Sequence, residues 1–309
     1  MPLVTVFTPT YNRAYCLHRV LESLKSQTFQ NFEWLIIDDG STDNTKSWVE
    51  QNRSNCEFSI RYFYQENKGK HIAINKGVKE AKGEFIIIAD SDDTFKPETI
   101  EVFLETFHKI PDKEKYAGIW CLVDDESGNI VGDRFPENEW DCGVAEFYFK
   151  ERIQGEKWQM IKTKVMKNHP MPNIIIKGLY VGESIMWMSI ANSYLFRCIN
   201  TPLRTYHSSS DGIMQKVAKV EIVKWYSYYL QFHFLYKDYT EYFKYHPKYY
   251  IKGMFLYQFS IYKLKKSFFH EFIIVKSYFL KFLYFIVFFT IPFLILYKQI
   301  PQIARRSQE

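Results

Sequence analysis

The sequence predicts an α/β protein: an α/β/α sandwich, Rossmann-like, on a mainly parallel central sheet, with an aromatic-rich helical region after it. Three features carry this expectation. From Leu3 to Ala89, short apolar runs alternate with segments of helical period. The runs lack polar alternation, as strands covered on both faces do. After about Val217 the composition shifts to Tyr, Phe, Lys and His.

The elements follow in order. Leu3 to Thr8 is a β-rich run, and Leu17, Val20, Leu21 and Leu24 recur at helical spacing. Glu33 to Asp38 is a second strand. Gly40-Ser41 turns the chain, and Ser41 or Thr42 can cap the next helix. Ile60 to Tyr64 is a third strand, Lys70 to Ala81 a helix closed by Gly83, and Phe85 to Ala89 a fourth strand. Pro97 falls in the first turn of the next helix. Short crossovers of this kind give a parallel sheet flanked by helices. Further on, Ala117 to Val123 is strand-like, Asp124 to Gly128 a polar turn, and Asn129 to Val131 resumes the strand. Gly155 to Val165 and Ile174 to Ile176 read as strands, Glu183 to Ala191 as a helix, and Ser208 to Gly212 as a mobile polar run suited to a lid.

Bulk properties exclude several classes. A net charge of +5 with acids and bases interspersed gives no nucleic-acid footprint. The five cysteines are widely spaced with no C-x-x-C pair, which argues against zinc or a disulfide framework and for a reducing compartment. Val4 to Thr8 is too short for a signal-peptide core, so the N-terminal part is expected in the cytoplasm. Of the 27 Phe and 23 Tyr, many crowd into the last third. The longest uncharged run there, Phe282 to Tyr297, is broken by Pro292 and falls short of the roughly 20 residues of a spanning helix. Lys276, Lys281 and Lys298 flank or punctuate it, which suits helices lying in a membrane surface. A tilted single span is one alternative for such a segment, and an aromatic helical subdomain packed on the core, at a homodimer interface, is another. One marginal apolar run also excludes a transporter.

Chemistry collects at the strand ends. Strand one runs into Thr8-Pro9-Thr10-Tyr11-Asn12-Arg13, strand two ends at Asp38-Asp39-Gly40-Ser41, strand three leads to Asn67-Lys68-Gly69-Lys70-His71, and strand four ends at Asp90-Ser91-Asp92-Asp93. In a parallel sheet these ends share one edge, where ligands bind. Packed acids at a strand end repel one another unless a cation lies between them. Tyr11 can stack on a base, Asp39 can accept from a base N–H, and Lys70, His71 and a helix N-terminus can face a diphosphate. Asp90 and Asp92 can hold Mg²⁺ or Mn²⁺. Each feature alone is more often a solvated turn or a surface residue; their ordered co-occurrence is the signal.

The ordered set Val4 to Arg13, Ser26 to Phe29, Glu33 to Thr42, Asn67-Lys68-Gly69, Ala81 to Phe85 and Ala89 to Asp93 resembles glycosyltransferase family 2, with its GT-A fold. The resemblance returns at Gly182-Glu183-Ser184 with Trp187, and at Asn200 to Tyr206. It implies a catalytic domain over residues 1–216, split into a nucleotide-binding half (1–115) and an acceptor half (116–216); the tail's composition points to a helical, membrane-associated region over 217–309. The resemblance also implies an inverting enzyme that uses a nucleotide-diphosphate sugar, commonly a UDP-sugar, and a divalent metal.

By that resemblance Thr8, Pro9, Tyr11 and Asp39 match nucleoside-contacting positions. Asp90 and Ser91 fall at the nucleotide as well, and Asp92 matches the metal aspartate with Asp90 in support. Glu183 matches the general base, although the commonest Glu-Asp or Gly-Asp form is not kept there. The Q-x-x-R-W signature of processive synthases is absent, which favours transfer of a single sugar. The tail suggests a lipid-linked saccharide acceptor at the cytoplasmic face of the cell membrane, as in capsule or O-antigen synthesis. A nucleotidyltransferase would need a Gly-rich loop after strand one, and Thr8 to Arg13 has no glycine. A non-catalytic sugar-nucleotide-binding or scaffold protein of a glycan assembly complex is the alternative.

Overall fold

The computed structural model describes residues 1–207, except 177, 180 and 192, and residues 221–289. The expected lid at Ser208 to Gly212 lies outside them. The chain forms two compact units, Met1–Lys216 and Val217–Glu309.

The first unit is built on a nine-stranded sheet. Its strands are β1 (Val4–Thr10), β2 (Phe32–Asp38), β3 (Ser59–Tyr64), β4 (Phe85–Ile88), β5 (Thr94–Phe95), β6 (Tyr116–Asp125), β7 (Glu139–Cys142), β8 (Lys157–Lys162) and β9 (Leu195–Tyr206). Helices α1 (Leu17–Lys25), α2 (Thr45–Asn52), α3 (Lys70–Glu80), α4 (Thr99–His108), α5 (Thr163–Asn168) and α6 (Ser184–Ala191) connect them. The order is β3-β2-β1-β4-β8-β6-β9-β5, with β7 on β9. Strands β1, β2, β3, β4, β6 and β9 run one way and β5, β7 and β8 the other.

Every residue of β1, β2 and β4 is buried, as expected of strands covered on both faces. The covering helix α3 comes so close that a Cβ on Gly77 would stand 2.4 Å from the Phe7 ring. At the amino end of the sheet, Glu33 accepts from the Thr5 hydroxyl at 2.8 Å and pairs with Arg61 at 3.2 Å, so its buried charge is compensated. This network is structural and lies opposite the strand ends that carry the candidate site.

Several local expectations are corrected. Helix α2 starts from Asn44 without a side-chain cap, and Asp43 Oδ1 accepts from Thr45 N at 3.0 Å. Ser41 Oγ instead accepts from Asn12 N at 2.8 Å, and Thr42 N donates to Asn12 Oδ1 at 2.7 Å. Those two residues therefore tie two loops together. Pro97 precedes α4, whose N-cap is Glu98. Helix α3 ends on Ala81, two residues before Gly83. Past the polar turn, Ile130 bridges back to Asp124 antiparallel, so this segment folds onto β6. The run from Gly155 is strand only over Lys157–Lys162, and Thr163 begins α5. Ile174 to Ile176 is not a strand: Ile174 N donates to Pro172 O at 3.0 Å in a local turn.

The second unit is helical: α7 (Glu221–Asp238), α8 (Pro247–Lys263), α9 (Phe268–Ile274) and α10 (278–289). Its core is built from tyrosines. Tyr236, Tyr250, Tyr257 and Tyr284 are fully buried. Buried phenols need partners. Tyr236 donates to Tyr250 O at 2.6 Å, and Tyr229 and Tyr257 donate to buried Glu271 at 2.9 and 2.5 Å. Burial pushes the Glu271 pKa up, but hydrogen bonds from His233, Tyr257 and Tyr229 outweigh it and bring it down to about 2. Among the described residues no helix is long and apolar enough to cross a membrane.

Candidate active site

Strand register brings the expected ends together. Thr10 pairs with Asp38 and Asp38 with Tyr64, so β1, β2 and β3 finish level. Asp39 N donates to Thr10 O at 2.8 Å and Ala89 N to Phe7 O at 2.8 Å, which carries the ladder into the loops. Tyr11 follows β1 with 48% of its surface exposed, a free ring at this edge. Asn12 takes φ 53°, a left-handed conformation that Asn tolerates, and its side chain knits the loop to residues 42 and 43.

Asp39 organises the next loop. Its Oδ1 accepts from Gln65 Nε2 and Lys68 N at 2.7 and 2.9 Å, and its Oδ2 accepts from Gly69 N at 2.8 Å. Gly40 must be glycine, because a Cβ there would sit 2.6 Å from Asn67 N. The amides before α3 are therefore fixed by Asp39, and a base N–H would have to share Oδ2.

Lys70, the first residue of α3, reaches two acids. Its Nζ lies 2.6 Å from Asp90 Oδ1 and 3.0 Å from Glu183 Oε1. Burial lowers an ammonium's pKa, but the two carboxylates outweigh it and hold Lys70 well above its ordinary value. Burial works against the charge on Asp90 too, yet Lys70, Arg204 and Arg13 keep its pKa below the usual range. Asp92 Oδ2 lies 3.5 Å from Arg13 Nη1, and its carbonyl accepts from Arg19 at 3.3 Å. Asp93 is buried against Arg204, with Nε to Oδ2 at 2.9 Å, an ion pair without hydrogen-bond alignment. Burial pushes the Asp93 pKa up to about 7, Arg204 opposes this, and Asp90 and Asp92 add to it.

The acidic cluster is thus compensated by the protein's own cations, which replaces the argument that an ion must sit between the acids. Among the described residues no group of three or more His, Cys, Asp and Glu side chains converges as a metal cage. Asp90 and Asp92 nonetheless offer hard carboxylate oxygens at a strand end, the donor chemistry that Mg²⁺ and Mn²⁺ prefer.

Four of the expected contact residues, Thr8, Pro9, His71 and Ser91, are buried. Thr8 is fully buried and its hydroxyl accepts from Trp34 Nε1 at 2.9 Å, so its side chain supports the floor of the edge. Pro9 is buried beside it. His71 is also buried. Its Nε2 lies 2.8 Å from the Ile174 carbonyl, and burial lowers its pKa despite that hydrogen bond, so it is neutral at pH 7 and no phosphate cation. Ser91 lies buried inside the turn closed by Asp93 N and Asp90 O at 3.4 Å.

Sequence reasoning missed the residues that assemble the two halves. Asn75 exchanges hydrogen bonds with Met171 N and O at 2.8 and 2.9 Å. With His71 on Ile174, this pins the segment leading to Glu183 against α3. Arg204 and His207 reach the acids from β9, His207 N lying 3.4 Å from Asp93 Oδ1. The Arg204-Thr205-Tyr206-His207 sequence ending a strand was the available signal.

The family model for glycosyl transferase family 2 matches residues 5–174, more than half of the chain. The chain belongs to glycosyl transferase family 2. The matched range includes the ends of β1, β2, β3 and β4 that share the sheet edge. An uncharacterized glycosyltransferase of Rickettsia felis is 37% identical over 156 residues, 46% of this chain and 24% of that protein. The GalNAc(5)-diNAcBac-PP-undecaprenol beta-1,3-glucosyltransferase of Campylobacter jejuni is 27% identical over 197 residues, 62% of this chain and 60% of that protein. The chain therefore spans less than two thirds of these relatives' length. S. aureus TarS 1-349 in complex with UDP-GlcNAc superposes with a TM-score of 0.54 at 19% identity, over 91% of this chain and 72% of that one. The mannosyltransferase PcManGT of Pyrobaculum calidifontis, in complex with GDP-Man and Mn²⁺, gives 0.56 at 19% identity, over 85% and 74%. This family 2 chain has the GT-A-type glycosyltransferase fold that the sequence led us to expect.

Proposed function

We propose that the protein transfers a single sugar, with inversion, from a nucleotide-diphosphate sugar to a saccharide acceptor. The observation that carries this is the meeting of Asp90, Lys70 and Glu183 at the sheet edge where Tyr11 is exposed. UDP-sugars are the first donors to test, because the TarS structure holds UDP-GlcNAc; GDP-mannose, held by the mannosyltransferase, is the second.

The chain's own groups divide the work. Tyr11 stacks on the base. Lys70 and Arg13 meet the charge of the diphosphate. Glu183 takes the proton of the attacking acceptor hydroxyl, and its carboxylate, shielded beside α3, is within reach of the same region. Asp90 and Asp92 would hold Mg²⁺ or Mn²⁺, which supplies further stabilisation of the leaving diphosphate. Displacement in line from an α-linked donor yields a β-linkage.

The acceptor we propose is a lipid-linked saccharide of surface polysaccharide synthesis, used at the cytoplasmic face of the membrane. The Campylobacter relative, named for an undecaprenol-linked substrate, supports this. So does the second unit. On α9 and α10, Phe269, Ile273, Phe282, Phe285 and Phe289 are exposed, while Leu280, Tyr284 and Val287 face inward. A helix apolar on both faces has an unsatisfied side. Exposed Lys265 and Lys276 lie in the same stretch, as at a headgroup layer. Docking of two copies through this face is the competing use, and would leave the protein unbound to vesicles.

The test is a donor-hydrolysis screen with Mn²⁺ across nucleotide sugars. Release of nucleoside diphosphate from one donor, raised by an acceptor, is expected. Binding of a sugar nucleotide without turnover on any acceptor would favour the scaffold role instead.

A further inference from the structure

Lys70 joins two parts of the site. Arg204 pairs with Asp93 and Glu156 and Arg13 with Asp92, whereas the Lys70 ammonium bridges Asp90, beyond the end of β4, and Glu183, just before α6. Its surroundings are held. Asp39 fixes the Lys68 and Gly69 amides, and His71 and Asn75 pin the segment before Glu183. The flexible part is the Lys70 side chain itself, a long stem with a compact charge.

Two further facts give it a direction. Lys70 is in direct contact with both Asp90 and Glu183, while Arg204 and Arg13 act on Asp90 from further off. The ammonium occupies Asp90 Oδ1 at 2.6 Å and repels a second cation on the same carboxylate. A diphosphate arriving at the N-terminus of α3 offers Lys70 new acceptors in the place where helix amides already favour phosphate.

We propose that Lys70 is a displaceable internal counter-ion: it closes Asp90 and Glu183 together in the free protein and leaves both for the donor diphosphate. The inference rests on the nucleotide site proposed above. Donor binding then has two consequences. Asp90 is released to the divalent cation, and Glu183 loses its ion pair and becomes available to the acceptor hydroxyl. Lys70 thus meets the diphosphate directly and affects the base by leaving its carboxylate. A base held by its own lysine until the donor is seated gives an ordered reaction, donor before acceptor.

Mn²⁺ binding to the full chain, measured by the EPR signal of free Mn²⁺ with and without UDP, tests this without turnover. In wild type, UDP should strengthen Mn²⁺ binding markedly. In Lys70→Gln, and in Lys70→Met as a second neutral variant, Mn²⁺ should bind the nucleotide-free protein about tenfold or more tighter than in wild type, since the competing charge is gone. The gain from UDP should shrink in both. Lys70→Arg, which keeps the charge, should stay near wild type. Unchanged or weaker nucleotide-free Mn²⁺ binding in the neutral variants overturns the proposal, while wild type that takes up no Mn²⁺ even with UDP overturns the metal-site reading beneath it.

Discussion

Lys70 Nζ lies 3.0 Å from Glu183 Oε1, so the first residue of α3 touches the acid immediately before α6. The contact joins the nucleotide-binding edge of the sheet to the segment that brings in the candidate base. It depends on α3 carrying that segment through His71 and Asn75. Sequence distance hides this link, and the fold creates it.

Glu183→Gln keeps the size of the side chain and removes its basicity. UDP affinity measured by calorimetry should change little, and kcat for sugar transfer should fall by roughly 10²–10⁴-fold, the usual worth of a general base. Transfer at wild-type rate would move the base elsewhere.

Arg204 compensates Asp93, and both are buried. Arg204→Leu removes the cation that opposes this burial, and the cost should stay below the about 3–5 kcal/mol of a broken, fully ionised buried pair, because Asp93, already pushed up to about 7, takes up a proton; it is read as a lowered midpoint in urea. Adding Asp93→Asn should recover much of that loss. If Arg204→Leu melts like wild type, the pair is not a structural element of the edge.

Strand prediction worked where chain propensity and burial agree. Val4–Thr10, Phe32–Asp38 and Phe85–Ile88 are apolar and covered on both faces. Ile174 to Ile176 has the same β-branched composition, yet Ile175 is 58% exposed and the Ile174 carbonyl is spent on His71. Tertiary demand overrode propensity there. The acids of the site were legible because they cluster in sequence. Lys70 is legible too, as a cation for a diphosphate, but the pairing of Arg13, Lys70 and Arg204 with those acids is not, because the three arrive from separate elements. Thr8 and His71 carry motif positions, but Thr8 lies in a strand covered on both faces and His71 on the buried face of α3, so both side chains sit in the core.

Glu271 has a pKa of about 2 in the folded chain against 4.5 ordinarily, so its contribution is present above pH 4.5 and lost as pH falls through 2. The linkage is on the order of 3 kcal/mol. Stability measured by denaturant titration should therefore fall between pH 4.5 and 2 in wild type, and Glu271→Gln should flatten that slope. An identical slope in the variant would contradict the buried tyrosine–histidine–carboxylate network.

The aromatic face of α9 and α10 predicts vesicle binding. Phe282→Glu together with Phe285→Glu places charge on exposed positions and should reduce co-sedimentation with anionic vesicles about tenfold or more, by loss of apolar burial and by repulsion. Equal pelleting of variant and wild type would assign membrane contact to another surface.

Asp92 is the most direct test of the proposed site, since it lies in the acidic turn after β4 that the sequence singles out. UDP release from the preferred nucleotide sugar, followed with Mn²⁺ and an acceptor, should drop by at least about 10²-fold in Asp92→Ala, in line with loss of electrostatic stabilisation at a leaving group. The chain should stay folded, because Asp92 is partly exposed and Arg13 is its only ion-pair partner among the described residues. Turnover in Asp92→Ala equal to wild type, with the same Mn²⁺ dependence, would contradict the placement of the donor diphosphate at this edge.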